Sequence, residues 1–357
     1  MPDQSVLWVL VVQAKVTGRW VLQVIYTLYL LARLPRADAA MGAAESDGFL
    51  RTKPFRRPDA GQSHLRATAV SDVQASSSKG SVIKLRVATY NIHKGVTGIR
   101  GRPRIHDVRM ALDAIDADIV FLQEVQDRNE RLASHPGYPT SGTQLDFLAT
   151  GAYEHRAYGM NAAYPHGHHG NAILSRHRIV THTNHDISDH VLEKRGLLHA
   201  VTRFGRGKGR EVHLICVHFG LIKRSRLRQA TFLADFVQRE VPVRAPLIIA
   251  GDFNDWQQRV DRVLRDRLGV EEVAVASTSE TPDRGVLDWL LPWRTASDTQ
   301  AGVARTFPSF APWLTLDRIY VRGFQVLDMH VPKGMAWARC SDHAPLIAEL
   351  ELRPARA

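Results

Sequence analysis

From Lys84 onward the chain is a succession of short apolar runs, rich in β-branched residues, and most of them end on or next to a polar residue that an ordinary turn does not need. KLRVATY (84–90) alternates as a strand and is followed by Asn91, DIVFLQEV (118–125) carries Glu124, and EVHLICVHF (211–219) carries His218. PLIIAG (246–251) delivers Asp252 and Asn254, LDRIYV (316–321) holds Asp317, and Asp342 and His343 stand just before PLIAELEL (345–352). NAILSR (171–176), LLHAVTRF (197–204) and FQVLDMHV (324–331) read as further strands. Helical spacing marks HDVRMALDAID (106–116), TQLDFLATGA (143–152) and RSRLRQATFLADFVQREV (224–241). Many strands with interspersed helices and no internal repeat predict an α+β fold: a four-layer α/β/β/α sandwich of two packed, mostly antiparallel sheets with outer helices.

The 357 residues suffice for a substantial core, and 44% hydrophobic and 23% charged content are those of a globular chain. A formal charge of +11 favours anionic partners in general without naming one. Two cysteines, Cys216 and Cys340, make a disulfide framework improbable and a cytoplasmic, reduced setting the expectation. Residues 1–82 differ from the rest and are expected to form an N-terminal extension to a catalytic domain at 83–354. Two apolar runs, 6–14 and 20–34, are separated by Lys15 and Arg19, then followed by a basic cluster and a Ser/Gln/Ala-rich linker. An inner-membrane anchor, an interfacial helix, a signal peptide and a tail added by an upstream start codon are all open readings.

Each polar strand end has an ordinary alternative. Asn91 can be a turn residue, Glu124 a solvated strand end, His218 a core histidine and Asp342 a turn cap. Together they assemble carboxylates, imidazoles and carboxamides suited to cleaving a phosphate ester. A hard cation such as Mg²⁺, with Mn²⁺ as substitute, takes oxygen ligands, with Glu124 as the principal one. Asp252 or the Asp317/His343 pair is suited to deprotonate water, while Asn91, Asn254 and His218 can donate to phosphate oxygens. His166, His168 and His169 look like a metal tract but read better as a substrate-side loop whose working residue is Asn171. Arg195 is a candidate fork donor to phosphate or a plain surface charge, and Phe307 with Pro308 a wall beside the site. No phosphate loop, CxxC pair or GxSxG elbow is present.

TYNIHKG, LQEV, HHGNAILS, KRG, VHFGL, GDFND, RTFPS, LDRIYV and SDHAP, in this order, resemble the endonuclease/exonuclease/phosphatase superfamily, and within it uncharacterised bacterial members. The superfamily embraces deoxyribonuclease-like nucleases, abasic-site endonucleases, inositol polyphosphate phosphatases and neutral sphingomyelinases. The resemblance implies that Glu124 binds metal, that Asn91 helps order metal and phosphate, and that Asp342 is a second acidic position near the metal. It also implies that His218 contacts phosphate, that Asp252 orients or deprotonates the water with Asn254 as its phosphate-binding partner, and that Asp317 and His343 form a hydrogen-bonded pair. Several nuclease branches carry an aspartate two residues after the first asparagine, where this chain has His93.

The expected function is a Mg²⁺-dependent phosphoesterase acting on a lipid-linked or small phosphodiester or phosphomonoester, as a monomer at or near an anionic membrane surface. One alternative is an endonuclease or exonuclease acting on DNA, with KRSRLR (223–228) and Arg102/Arg104 as its basic groove. Another is an inactive, membrane-tethered binding protein on the same fold.

Overall fold

The computed structural model describes residues 82–96, 102–139, 142–191, 193–204, 209–274 and 304–354. The expectations for the N-terminal extension lie outside these residues. No helix among the described residues is long and apolar enough to cross a membrane.

Among the described residues, two six-stranded sheets carry the fold. The first has the order β11 (Phe324–His330), β12 (Leu346–Leu352), β1 (Lys84–Asn91), β2 (Ile119–Asn129), β4 (Gly167–Ser175), β3 (His155–Tyr164). The second runs β5 (Ile179–Asp186), β6 (Gly196–Phe204), β7 (Arg210–His218), β8 (Leu247–Asp252), β10 (Asp317–Arg322), β9 (Glu271–Glu272). In each sheet the two middle strands are parallel, β1 with β2 and β7 with β8, and the other pairings are antiparallel. A parallel pair needs a crossover, and helices supply both: α1 (Ile105–Ile115) joins β1 to β2, and α3 (Lys223–Glu240) joins β7 to β8. Both sheets are therefore mixed, with a parallel pair at the centre of an otherwise antiparallel arrangement.

The near-continuous apolar runs follow from burial on both faces. In β7, Leu214 and Cys216 point into the core between the sheets, while Ile215 and Val217 pack beneath α3 and α4 (Arg259–Leu268). Helix α3 matches that surface with a stripe of Ala230, Leu233, Ala234 and Val237, the i, i+3, i+4 and i+7 positions of one helical face. Cys216 is core packing, as its LICV setting predicts, and both cysteines are free and buried. On the first sheet α1 buries Ile105, Val108, Ala111, Leu112 and Ile115. Helix α2 (Gln144–Ala149) starts at a reciprocal cap in which Thr143 Oγ1 accepts from the Asp146 N–H and Asp146 Oδ2 accepts from the Thr143 N–H. Helix α5 (Met335–Cys340) leads into Ser341–Asp342–His343.

Candidate active site

Strand parity aims the site. Side chains alternate between faces, so a residue two or four positions from a core residue points the same way. Val87, Cys216, Ala250 and Ile319 all face the core between the sheets. By parity so do Asn91, His218, Asp252 and Asp317. In the second sheet the register sets His218 beside Asp252 and Asp252 beside Asp317 on three adjacent strands. Asn91 reaches this row from the opposite sheet, its Nδ2 donating to Asp252 Oδ2 at 3.1 Å.

Glu124 breaks the rule. Phe121 faces the core between the sheets, so strict alternation would turn Glu124 to the outer face. Between Leu122 and Val125 strand β2 has one residue more than β4, and Glu124 occupies this bulge with φ 57°. A non-glycine residue in the left-handed region costs roughly 1–3 kcal/mol and persists only where its surroundings hold it. The result is a carboxylate whose Oε2 lies 3.7 Å from Lys94 Nζ. Burial opposes its ionisation, but Lys94, His218 and His93 outweigh that and hold the carboxyl at about 2. Asp342 is likewise held at about 2: burial opposes the charge, while the contact with His93, at 3.3 Å, and the charge of His343 favour it.

Deeper in, the groups are in mutual contact and almost fully buried. His343 Nδ1 lies 2.8 Å from Asp317 Oδ2, and the same oxygen accepts from Thr306 Oγ1 at 2.5 Å. With Nδ1 committed, Nε2 faces Asp252 Oδ2 at 3.8 Å. Burial opposes charging the imidazole, yet the neighbouring Asp317, Asp252 and Asp342 raise it to about 10. Burial also drives Asp252 up to about 7, against the pull of His343. His218, 3.5 Å from Asp252 through Nε2, is pushed well below its ordinary value by burial and then by Arg195. Ser341 ties the parts together: its hydroxyl donates to Asn91 O at 2.7 Å and accepts from the His343 N–H at 3.3 Å.

The remaining expected residues lie nearby with distinct occupations. Asn254, at φ 51°, donates its backbone N–H to Asp252 Oδ1 and one side-chain N–H to Phe219 O. Asn171 Nδ2 donates to Gly196 O and Cys216 O across the sheets, leaving its buried Oδ1 without a hydrogen-bond partner among the described residues. That free atom is an acceptor, better suited to a cation or a hydroxyl than to a phosphate oxygen. Arg195 bonds Phe219 O, Lys194 O and Glu193 Oε1, so its guanidinium braces the end of β7. His168 and His169 lie in strand β4 rather than in a loop, with Tyr158 Oη 2.9 Å from His168 Nδ1. The ring of Phe307 packs 5.0 Å from that of His343, as expected of a wall beside the site. Thr306 and Ser341 went unread in the sequence. Their signal was adjacency, within RTFPS and SDHAP, to residues that were read.

Glu124, Asp342 and Asn91 offer oxygen donors of the kind a hard cation such as Mg²⁺ or Mn²⁺ takes, and Asn91 Oδ1 already accepts from the His93 N–H at 3.1 Å. Asp252, Asp317 and His343 also place ligand atoms within 4.8 Å of one another. The Asp317–His343 hydrogen bond already occupies Nδ1 there, which suits proton handling better than a metal cage.

A sandwich of two mixed sheets with a carboxylate, carboxamide and imidazole site at its seam defines the architecture of a family whose members include phosphatases and nucleases. The chain belongs to the endonuclease/exonuclease/phosphatase family, whose model matches residues 88–343. It is 37% identical over 267 residues to the uncharacterised protein YbhP of Escherichia coli K12, covering 75% of this chain and 96% of that protein. Among solved structures it resembles D. rerio TDP2 complexed with a single-strand DNA product, with TM-score 0.50 and 18% identity over 75% of this chain and 98% of that one. It also resembles the Bacteroides thetaiotaomicron mannosyl-6-phosphatase Bt3783, with TM-score 0.50 and 19% identity over 74% of this chain and 99% of that one.

Proposed function

We propose that this protein is a Mg²⁺-dependent phosphoesterase that hydrolyses a small or lipid-linked phosphodiester or phosphomonoester by attack of an activated water. The observation that carries this reading is Asp252: a buried carboxyl with a pKa near 7, between two imidazoles, is poised to take a proton at neutral pH. Glu124, Asp342 and Asn91 would hold the divalent ion, which supplies charge neutralisation at the phosphate. Asp252 accepts the proton of the attacking water. His343, oriented by Asp317, whose carboxylate Thr306 holds in turn, carries a positive charge and an Nε2–H for the phosphate oxygens. His218 and the second amide hydrogen of Asn254 add neutral donors, aimed where negative charge builds.

The surface supports a small or lipid-linked substrate over a duplex. Within KRSRLR, Arg226 is 2% exposed and stacks on Trp256, and Arg228 is paired with Asp189. Two of the four cations in KRSRLR are thus engaged within the protein, and Arg104 is paired with Asp107. The segments flanking the site instead expose apolar residues: Leu221 three positions beyond His218, Trp256 two beyond Asn254, Phe310 next to the Ser309 that donates to Asp342 O, and Met335 at the start of α5. Exposed Lys223, Arg224 and Arg259 border them, a combination suited to an anionic amphipathic substrate.

The test is full-length protein assayed with and without EDTA on bis-p-nitrophenyl phosphate, then on phospholipid, inositol phosphate, plasmid and abasic oligonucleotide panels. EDTA-sensitive turnover with phospholipid or small esters preferred is the expected result. Preferential, salt-sensitive DNA cleavage would establish the nuclease reading, and no turnover on any substrate the inactive binding protein.

A further inference from the structure

The turn His93–Gly95 is built from three consecutive left-handed residues, with φ of 45°, 59° and 64°, two of them not glycine. Its surroundings leave it no alternative. The Gly95 N–H donates to Ile92 O at 2.8 Å, Gly95 O accepts from the Arg104 N–H at 2.7 Å, and Lys94 O accepts from Gln144 Nε2 at 3.1 Å. A side chain on Gly95 would meet Gln144 Nε2 and Ile105 Cδ1 at 2.9 Å, so only glycine closes the turn there. This unfavourable backbone sets two basic side chains against the two carboxylates assigned to metal: Lys94 Nζ is 3.7 Å from Glu124 Oε2, and His93 Nδ1 is 3.3 Å from Asp342 Oδ2. Glu124 is itself held in a left-handed bulge that points it at this turn.

We propose that Lys94 is a resident counter-cation for Glu124, an intramolecular competitor that keeps the carboxylate aligned when no metal is bound and sets the concentration at which a divalent ion displaces it. This rests on the proposed role of Glu124 as metal ligand. A lysine suits such a role because its ammonium is a compact point charge on a flexible stem and can withdraw without disturbing the fold. The Lys94 side chain is 40% exposed and makes no other ion pair among the described residues. Loss of the competitor should therefore tighten metal binding even though it removes a contact.

The experiment measures Mn²⁺ binding to full-length protein, without substrate, by electron paramagnetic resonance of the free ion. It compares wild type, Lys94→Met, Lys94→Arg, Glu124→Gln and the Lys94→Met/Glu124→Gln double variant, each checked for native circular dichroism. Lys94→Met should bind Mn²⁺ roughly two- to fivefold more tightly than wild type, with Lys94→Arg close to wild type. In the Glu124→Gln background the Lys94 effect should vanish. Unchanged or weaker binding by Lys94→Met, alongside a clear loss in Glu124→Gln, would overturn the competitor role while leaving the metal assignment standing. Equal binding by Glu124→Gln and wild type would overturn the metal assignment and this inference with it. Hydrolytic activity enters none of these readouts, so a wrong substrate class does not affect them.

Discussion

Asp252 accepts a hydrogen bond from Asn91 across the two sheets, at 3.1 Å, so the group most suited to act as base is positioned by a residue of the opposite layer. With its carboxyl near pH 7, kcat/KM is expected to rise about tenfold per pH unit below about pH 7 and to level off above it. Asp252→Asn should abolish this limb and lower kcat by at least about 10²-fold, read from a pH–rate profile on bis-p-nitrophenyl phosphate.

The same shift bears on stability in the opposite sense. Folding raises the Asp252 pKa above its unfolded value, so between about pH 4 and 7 the native state holds a proton that the unfolded chain has released, and stability falls as pH rises. Asp252→Asn is therefore expected to melt higher than wild type at pH 8, with the gain shrinking towards pH 5. Differential scanning calorimetry at the two pH values checks it, and equal melting temperatures at pH 8 would count against a buried, costly charge.

Asp317 orients His343 and sustains its charge. Asp317→Asn should lower kcat by about 10²- to 10⁴-fold and move the His343 titration down from about 10. Nuclear magnetic resonance of the imidazole follows the second effect independently of turnover, and an unmoved resonance would remove the dyad from the mechanism.

On the outer face of the second sheet, His199 Nε2 lies 3.0 Å from His213 Nδ1 in nearly parallel rings, an arrangement in which one nitrogen must be an acceptor. Burial, followed by His213 and His185, lowers His199 to about 4, and burial lowers His213 as well. The unfolded chain then binds protons first, so stability present above about pH 6.5 is lost as pH falls towards 4. His199→Phe should flatten that loss by roughly 1–2 kcal/mol, measured by urea unfolding at pH 7 and pH 5.

Gly251 has φ 152°, and a Cβ there would lie 1.9 Å from Val217 O on the neighbouring strand. Gly251→Ala is expected to cost about 1–3 kcal/mol or more and to weaken turnover through displaced Asp252, with chemical denaturation separating the two effects.

Much of this site was legible in the primary structure because period-two alternation carries information past the end of a strand. Ile248 and Ala250 fix the face of Asp252, and Leu214 and Cys216 that of His218, so apolar core residues announce the direction of the polar ones. Strands β3 and β5 went unread because HRAYGMNAAY and IVTHTNHD lie at sheet edges, where half-exposed polar residues blur the alternation. Helix α4 was missed because RVDRVLRDRL buries only Val260, Leu264 and Leu268 beneath a charged surface. The bulge at Glu124 had no local marker: LQEV reads as uninterrupted strand, and only pairing with β4 reveals the extra residue. The pairing of Lys94 with Glu124 was equally invisible, since it depends on three successive left-handed residues of which only Gly95 advertises itself.

The parallel pairs at the heart of the two sheets point their carboxyl ends at a common seam, and Asn91 and Asp252 face each other across it. Neither half of the chain owns a complete set of working groups. Turnover is therefore a gauge of docking between the layers, and in graded denaturant it should vanish as soon as they part, even while each sheet keeps its own ladder of hydrogen bonds.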